Sequence, residues 1–290
     1  MFYKNEKLVI VRIWEGLGNQ LFQYAYARFL AERGLNVRLD LNKAYDHTFK
    51  KNRNHYQRQN SIQSFNISLL DINVEEYGKY RYIERDSMKD NLVFYLARHG
   101  LWKYRYYEET KHFYTEKAAK IKGNCYIKGL FQDEKYFKHL RQILLKELTP
   151  GKKIRISKEL RQAMENKESV AVHIRRGDYV KIHQALPVAY YYKAIALIKN
   201  HYQNPQFLIF SDDLDWVKEN LKIEDKCIYV NEDRKLQDYE ELMIMSRCKS
   251  NIISNSTFSW WGAWLNRNPE KIIIASKSCW LSKQENMILL

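Results

Sequence analysis

Residues 173–180 read His-Ile-Arg-Arg-Gly-Asp-Tyr-Val and directly follow the apolar run Val170-Ala171-Val172. A guanidinium cannot lose its charge, and its planar fork matches phosphate oxygens two at a time. Arg175 and Arg176 together could hold a diphosphate; Asp178 nearby offers the plainer alternative of an internal ion pair. If the run is a strand, His173 and Arg175 share one of its faces. Three other stretches carry comparable chemistry. Residues 15–20 (Glu-Gly-Leu-Gly-Asn-Gln) lie between an apolar run and a helical pattern. Gly16, Gly18 and Asn19 there would let backbone N–H groups approach an anion at a helix start, or simply form a tight turn. Residues 254–259 crowd Ser254, Asn255, Ser256, Thr257 and Ser259 at another helix start, where one cap would suffice. In residues 210–216, Asp212 can accept from the Watson–Crick edge of guanine. Asp213 and Asp215 form a D-x-D pair that holds a divalent ion in some sugar-nucleotide enzymes. A first helical turn also favours carboxylates without any ligand, and that structural reading is preferred.

The elements that must position these residues follow from periodicity. Residues 7–13 read as a buried strand and residues 36–41 as a second. Between them a helix has Leu21, Ala25 and Phe29 on one face, Phe22 and Leu30 beside them, and Gly34 as its stop. Residues 90–107 form an aromatic, basic helix candidate, 124–131 a strand and 133–148 a helix. The rest of 43–120 has no clear order. The boundary between halves falls in Thr-Pro-Gly-Lys-Lys at 149–153. Beyond it, strands at 169–174, 206–211, 226–230, 250–254 and 271–275 alternate with helices at 188–202, 213–222, 236–248 and 257–266. Such alternation predicts a parallel, doubly wound, Rossmann-like α/β domain whose ligands bind at the carboxyl ends of the strands. Trp260, Trp261 and Trp264 read as packing residues.

The bulk properties narrow the partners. The 290 residues carry 49 Lys+Arg against 34 Asp+Glu, a net charge of +15. Residues 1–150 hold 27 against 17, and the remainder 22 against 17. Anionic partners are favoured: a phosphorylated substrate, an anionic membrane or nucleic acid. No nucleic-acid motif is present, so nucleic acid is not expected. The four cysteines, Cys125, Cys227, Cys248 and Cys279, form no C-x-x-C and have no histidine cluster, which predicts no metal site and a reducing compartment. No signal peptide or membrane-spanning run is evident, so a cytoplasmic protein is expected.

Gly16–Ala25 (with the order Gly-Leu-Gly-Asn-Gln-Leu-Phe-Gln-Tyr-Ala), His173–Tyr179, Phe210–Asp213 and Ser254–Leu265 occur in sequence, and the set resembles the α-1,2-fucosyltransferases of glycosyltransferase family 11 from about residue 9 to 275. The resemblance implies a GT-B fold, with two Rossmann-like domains facing a cleft: residues 1–150 for the acceptor and 151–290 for the donor. It implies inverting, metal-independent transfer of L-fucose from GDP-β-L-fucose to the 2-hydroxyl of a terminal β-galactoside. That acceptor would belong to a cell-surface glycan such as O-antigen, including lipid-linked forms. No cofactor is implied beyond the co-substrate GDP-fucose. Arg175 would hold the β-phosphate, with Arg176 beside it. His173 and Asp212 would contact guanine, Gly18 and Asn19 would approach the diphosphate, and Asn255, Ser256, Thr257 and Ser259 would close it. The family's usual opening is Gly-Gly-Leu-Gly-Asn; Glu15 replaces the first glycine, so a backbone contact is carried over at Gly16 and Gly18 but not at 15. Asp178, His183 and Glu15 are the candidate bases, Asp178 ranked first. A metal-dependent transferase built on Asp213 and Asp215, a glycan- or nucleic-acid-binding module, and peripheral docking of the basic aromatic residues near 98–107 on anionic lipid are the competing or additional readings.

Overall fold

The computed structural model describes residues 8–41, 60–73, 80, 83, 85, 87–233, 235–281 and 283–290. It divides into two compact units, Met1–Gly151 and Lys152–Leu290. The division falls inside the Pro-Gly-containing segment picked out above. Of the unordered stretch 43–120, residues 43–59, 74–79, 81, 82, 84 and 86 lie outside the described residues.

In the first unit, β1 (Val9–Arg12), β2 (Val37–Asp40), β3 (Arg105–Glu108) and β4 (Cys125–Lys128) form a wholly parallel sheet ordered β2-β1-β4-β3. Helix α1 (Leu17–Glu32) links the first two strands and buries Leu21, Phe22, Ala25 and Leu30, as the spacing predicts. Phe29, placed on the same face, is only half-buried. The Tyr26 ring stacks on Phe131 with centroids 3.7 Å apart. Buried Glu147 accepts from the hydroxyls of Tyr24 and Ser68, both at 2.6 Å, and pairs with Arg28 at 3.1 Å, so its charge is compensated.

Two expectations in this unit need correction. Residues 90–107 are not one helix: α2 (Met88–Arg98) ends before Gly100, whose φ of +76° turns the chain, and β3 follows. Phe94 of α2 packs edge-on against Tyr106 of β3 at 5.1 Å. Residues 133–148 likewise hold two 3₁₀ turns and a shorter α-helix. After α3 (Glu116–Ala119), α4 spans only Arg141–Glu147.

The second unit begins with α5 (Lys158–Glu165), which the sequence pattern did not reveal. Its six parallel strands are β5 (Ser169–Ile174), β6 (Gln206–Ser211), β7 (Cys227–Tyr229), β8 (Ser250–Ile252), β9 (Ile273–Ala275) and β10 (Met287–Leu289), the last also unforeseen. They are joined through α6 (Gly177–Lys181), α7 (Val188–His201), α8 (Leu214–Asn220), α9 (Asp238–Arg247) and α10 (Thr257–Leu265). Alternate strand residues feed two cores. Val170, Val172 and Ile209 pack with Tyr191, Ala194 and Ile198 of α7 on one face. Ala171, Leu208 and Phe210 pack with Leu160 of α5 and Met245 of α9 on the other. Trp260, Trp261 and Trp264 are buried in α10 as packing residues. The chain is therefore α/β with two Rossmann-like domains, the class expected. Among the described residues, no helix is long and apolar enough to cross a membrane.

Candidate functional site

The sheet of the second unit runs β10-β9-β8-β5-β6-β7. Counted from β5 as its first strand, that is the order 3-2-1-4-5-6 of a dinucleotide-type fold. The chain leaves β5 towards β6 on one side and returns to β8 on the other, so the connections diverge between β5 and β8. Ligands of such sheets bind at that switch point, outside the carboxyl ends of the strands. His173 near the end of β5 and Ser254 just past β8 meet there, with Nδ1 and Oγ 2.8 Å apart. His173 is buried, and burial first, then the charge of Arg175, pulls its pKa from 6.5 down to about 3. The ring is thus neutral, and the positive charge of this edge belongs to the arginines alone.

Strand register brings the carboxylate to the first arginine. Ile174 of β5 pairs with Ser211 of β6, so the next residues of the two strands, Arg175 and Asp212, emerge side by side. Arg175 Nη1 lies 2.8 Å from Asp212 Oδ2, and Arg175 Nη2 donates to Asp178 Oδ1 at 2.5 Å. The other oxygen of Asp212 accepts from the backbone N–H of Arg176 at 2.8 Å. Asp212 therefore positions the arginine pair, and a guanine contact by the same carboxylate would require exchanging one of these bonds. The Arg175 side chain keeps 27% of its surface exposed, so the clamp leaves the guanidinium open to an incoming anion.

Arg176 behaves differently. Its guanidinium carbon lies 3.4 Å from the centroid of the Trp216 ring, and its buried Nε has no hydrogen-bond partner. Gly177 completes the turn at a φ of +20°; a Cβ there would stand 2.5 Å from Asp212 Oδ2. Any side chain at 177 would have to displace the Asp212 carboxylate. Buried Tyr191 has a hydroxyl without a hydrogen-bond partner, and Arg176 and Asp212 both act on it electrostatically. Burial keeps it a neutral phenol.

On the β8 side, Ser259 Oγ donates to the Ser256 carbonyl at 3.2 Å and lies 3.4 Å from Ser254 Oγ. Ser256 occupies the cap position of α10, but its side chain makes no capping bond. Asn255 is buried, reaching Ser278 with Nδ2 at 3.4 Å and leaving Oδ1 without a partner. Thr257 begins α10, half-buried. Asp213 accepts from the Trp216 N–H at 3.2 Å and so caps α8, with Asp215 in its first turn. The D-x-D pair is a helix start, as preferred above. His183 is exposed in the loop after α6, with φ +55°.

The first unit places Glu15, Gly16, Gly18 and Asn19 at its own switch point, between β1 and β4. Glu15 adopts φ +72°, the left-handed region that glycine enters freely, which is the physical reason a glycine suits this position. The Glu15 carbonyl accepts from Gln20 Nε2 at 2.8 Å. Gly16 precedes α1 in an extended conformation, and Gly18 is buried in the helix's first turn. Asn19 Oδ1 accepts from Gln132 Nε2 at 2.8 Å, and Gln132 Oε1 lies 2.9 Å from His112 Nδ1. Gln23 spans the same edge, accepting from the Trp14 N–H at 2.9 Å and donating to the Gly129 carbonyl at 3.2 Å.

The structure thus gathers His173, Arg175, Arg176, Asp178 and Asp212 with Ser254 and Ser259 at one edge, and Glu15 to Asn19 at another. Sequence reasoning missed Trp216, Gly177, Tyr191 and the Gln132–His112 support of Asn19. Only Gly177 had a visible signal, a glycine immediately after the arginines.

The chain belongs to glycosyl transferase family 11, whose sequence profile matches residues 8–287, and is therefore a glycosyltransferase. It is 30% identical to an α-1,2-colitosyltransferase of Escherichia coli over 96% of this chain and 94% of that protein. It is also 30% identical to the Escherichia coli O-antigen biosynthesis glycosyltransferase WbnK, covering 90% of this chain and 91% of its relative. A galactoside α-(1,2)-fucosyltransferase 1 of Leontopithecus chrysomelas shares 25% identity over 45% of this chain and 40% of its own length.

Proposed function

We propose that this glycosyltransferase transfers L-fucose from GDP-β-L-fucose to the 2-hydroxyl of a terminal β-galactoside, with inversion and without a metal ion, giving an α-1,2 linkage in a surface glycan such as O-antigen. The single observation that carries the reading is the position of Arg175, a partly exposed guanidinium at the β5–β8 switch point, oriented by Asp212 and Asp178. The Lys152–Leu290 unit takes the donor and the Met1–Gly151 unit the acceptor. The names of the relatives support the linkage and the O-antigen setting.

The acceptor oxygen attacks C1 of the sugar opposite the leaving group. The bond from C1 to the β-phosphate oxygen breaks, and its electron pair leaves with GDP. Negative charge grows on that phosphate, and Arg175 neutralises it by trading a carboxylate for phosphate oxygens. Arg176, stacked on Trp216, supplies a second fixed charge and a free Nε–H. Neutral His173 and the open Oδ1 of Asn255 supply directional hydrogen bonds to the nucleoside, with Ser256, Thr257 and Ser259 beside them. The hydroxyl proton passes to a base drawn from Asp178, His183 and Glu15; Asp178 also orients Arg175.

The relative that transfers a colitosyl group favours a second donor, a GDP-linked colitose, for the same site and linkage. Incubation with GDP-fucose and GDP-colitose in EDTA across several β-galactosides separates these readings. GDP release and NMR of the product identify donor, acceptor and linkage. Full activity in chelator with fucose transferred to O2 is expected; activity restored only by a divalent ion would overturn the metal-free mechanism.

A further inference from the structure

Helix α2 buries one face and exposes a second apolar one. Val93, Phe94 and Ala97 enter the core of the first unit. On the opposite side, Met88, Leu92 and Tyr95 follow one another at helical spacing and are 92%, 60% and 57% exposed. A surface helix ordinarily turns charge towards water on that side. The His99 ring extends the stripe, 4.4 Å from Tyr95. Past the turn at Gly100, Leu101 and Trp102 are also exposed, at 69% and 38%. Such a concentration of large apolar groups on an outer surface marks a contact site.

The charges around the stripe identify its partner. Lys89 flanks it on one side and Arg98 on the other, and Lys103 lies 6.0 Å from the centroid of the Trp102 ring. Asp90 is the only carboxylate between residues 87 and 105, and it is bonded to the Ser87 hydroxyl at the helix start. A second copy docking the same face would set these cations against themselves. Apolar side chains with aromatic rings and long cationic flanks are instead the composition of a helix lying in the interface of an anionic bilayer.

We infer that the exposed face of α2, continued by Leu101 and Trp102, is a docking surface for an anionic phospholipid membrane. This is independent of which sugar the enzyme transfers. Met88, Leu92, Leu101 and the Trp102 ring would enter the headgroup–acyl boundary, with Lys89, Arg98 and Lys103 on lipid phosphates.

The test is co-sedimentation of the full chain with vesicles of phosphatidylethanolamine, with or without phosphatidylglycerol, at low and high salt. Wild type is expected to pellet with the phosphatidylglycerol vesicles at low salt and to be released by salt. Leu92→Ser with Leu101→Ser should abolish binding. Lys89→Glu and Arg98→Glu should each weaken it by about fivefold or more. All variants should retain wild-type melting temperature and turnover with a soluble acceptor. Failure of wild type to bind, or binding that these variants leave unchanged, overturns the inference. So does a concentration-dependent dimer in sedimentation velocity that Leu92→Ser dissolves, which would assign the face to a second copy.

Discussion

The two units place their first strand–helix turn at the same point of the same kind of sheet, yet build it from different chemistry. After β5 the turn is made of charge: two guanidiniums and two carboxylates, with Asp212 reaching across from β6. After β1 it is made of amides and main chain: Gln20 on the Glu15 carbonyl, Gln23 bridging to Gly129, and Asn19 held by Gln132. Topology therefore fixes where a ligand approaches, while residue type decides what kind. Paired arginines suit a diphosphate whose charge rises during reaction. Amide contacts hold the backbone turn around Glu15 rigid.

The sharpest way to break this comparison is to remove the charge. Arg175→Ala should lower kcat by roughly 10²–10³-fold, the usual cost of one lost contact to a developing anion, about 2.7–4 kcal/mol. Circular dichroism should show an unchanged fold, and wild-type turnover would dismiss Arg175 from the role. Gly177→Ala leaves both arginines present but pushes Asp212 off them. Steady-state kinetics should show kcat/KM lower by roughly tenfold to hundredfold, an effect of misplacement alone. The neutrality of His173 gives a pH test. Its folded pKa of about 3 lies below the ordinary 6.5, so between these values the unfolded chain holds more protons. Stability should be lost as pH falls from 6.5 towards 3, and thermal melts of His173→Gln should show a shallower fall. The smallest effect belongs to the amide edge. In Glu15→Gly, relief of ~1–2 kcal/mol of left-handed strain is opposed by ~0.4–1 kcal/mol of added freedom in the unfolded chain. Urea denaturation should show a net gain between about 0 and 1.6 kcal/mol, and a loss would mean that the Glu15 side chain contributes contacts of its own.

The two units also differed in how far they could be read from the sequence. β5 and β6 match their expected bounds because central parallel strands are apolar on both faces and end abruptly in polar residues. Residues 90–107 misled because aromatic and aliphatic residues recur along the run on both sides of Gly100. Tyr104, just before the edge strand β3, and Tyr106 within it are both buried, but in a short aromatic run that alternation is indistinguishable from a helical face. At the site, Arg175, Asp178 and Asp212 were legible as types. The Arg175–Asp178 pair was one of the two readings offered by their spacing, but the contact with Asp212 was not legible, because it depends on the Ile174–Ser211 register. The stacking of Arg176, in the turn after β5, on Trp216, in the first turn of α8, joins segments distant in sequence and leaves no mark in either.

The bond between His173 and Ser254 spans 81 residues. During synthesis, β5 leaves the ribosome long before the strand that must lie beside it, and the intervening α6, α7, β6, α8, β7 and α9 have to emerge first. The edge shared by β5 and β8 can therefore close only near the end of translation, so a nascent chain interrupted before β8 would carry both arginines and still lack the strand beside them.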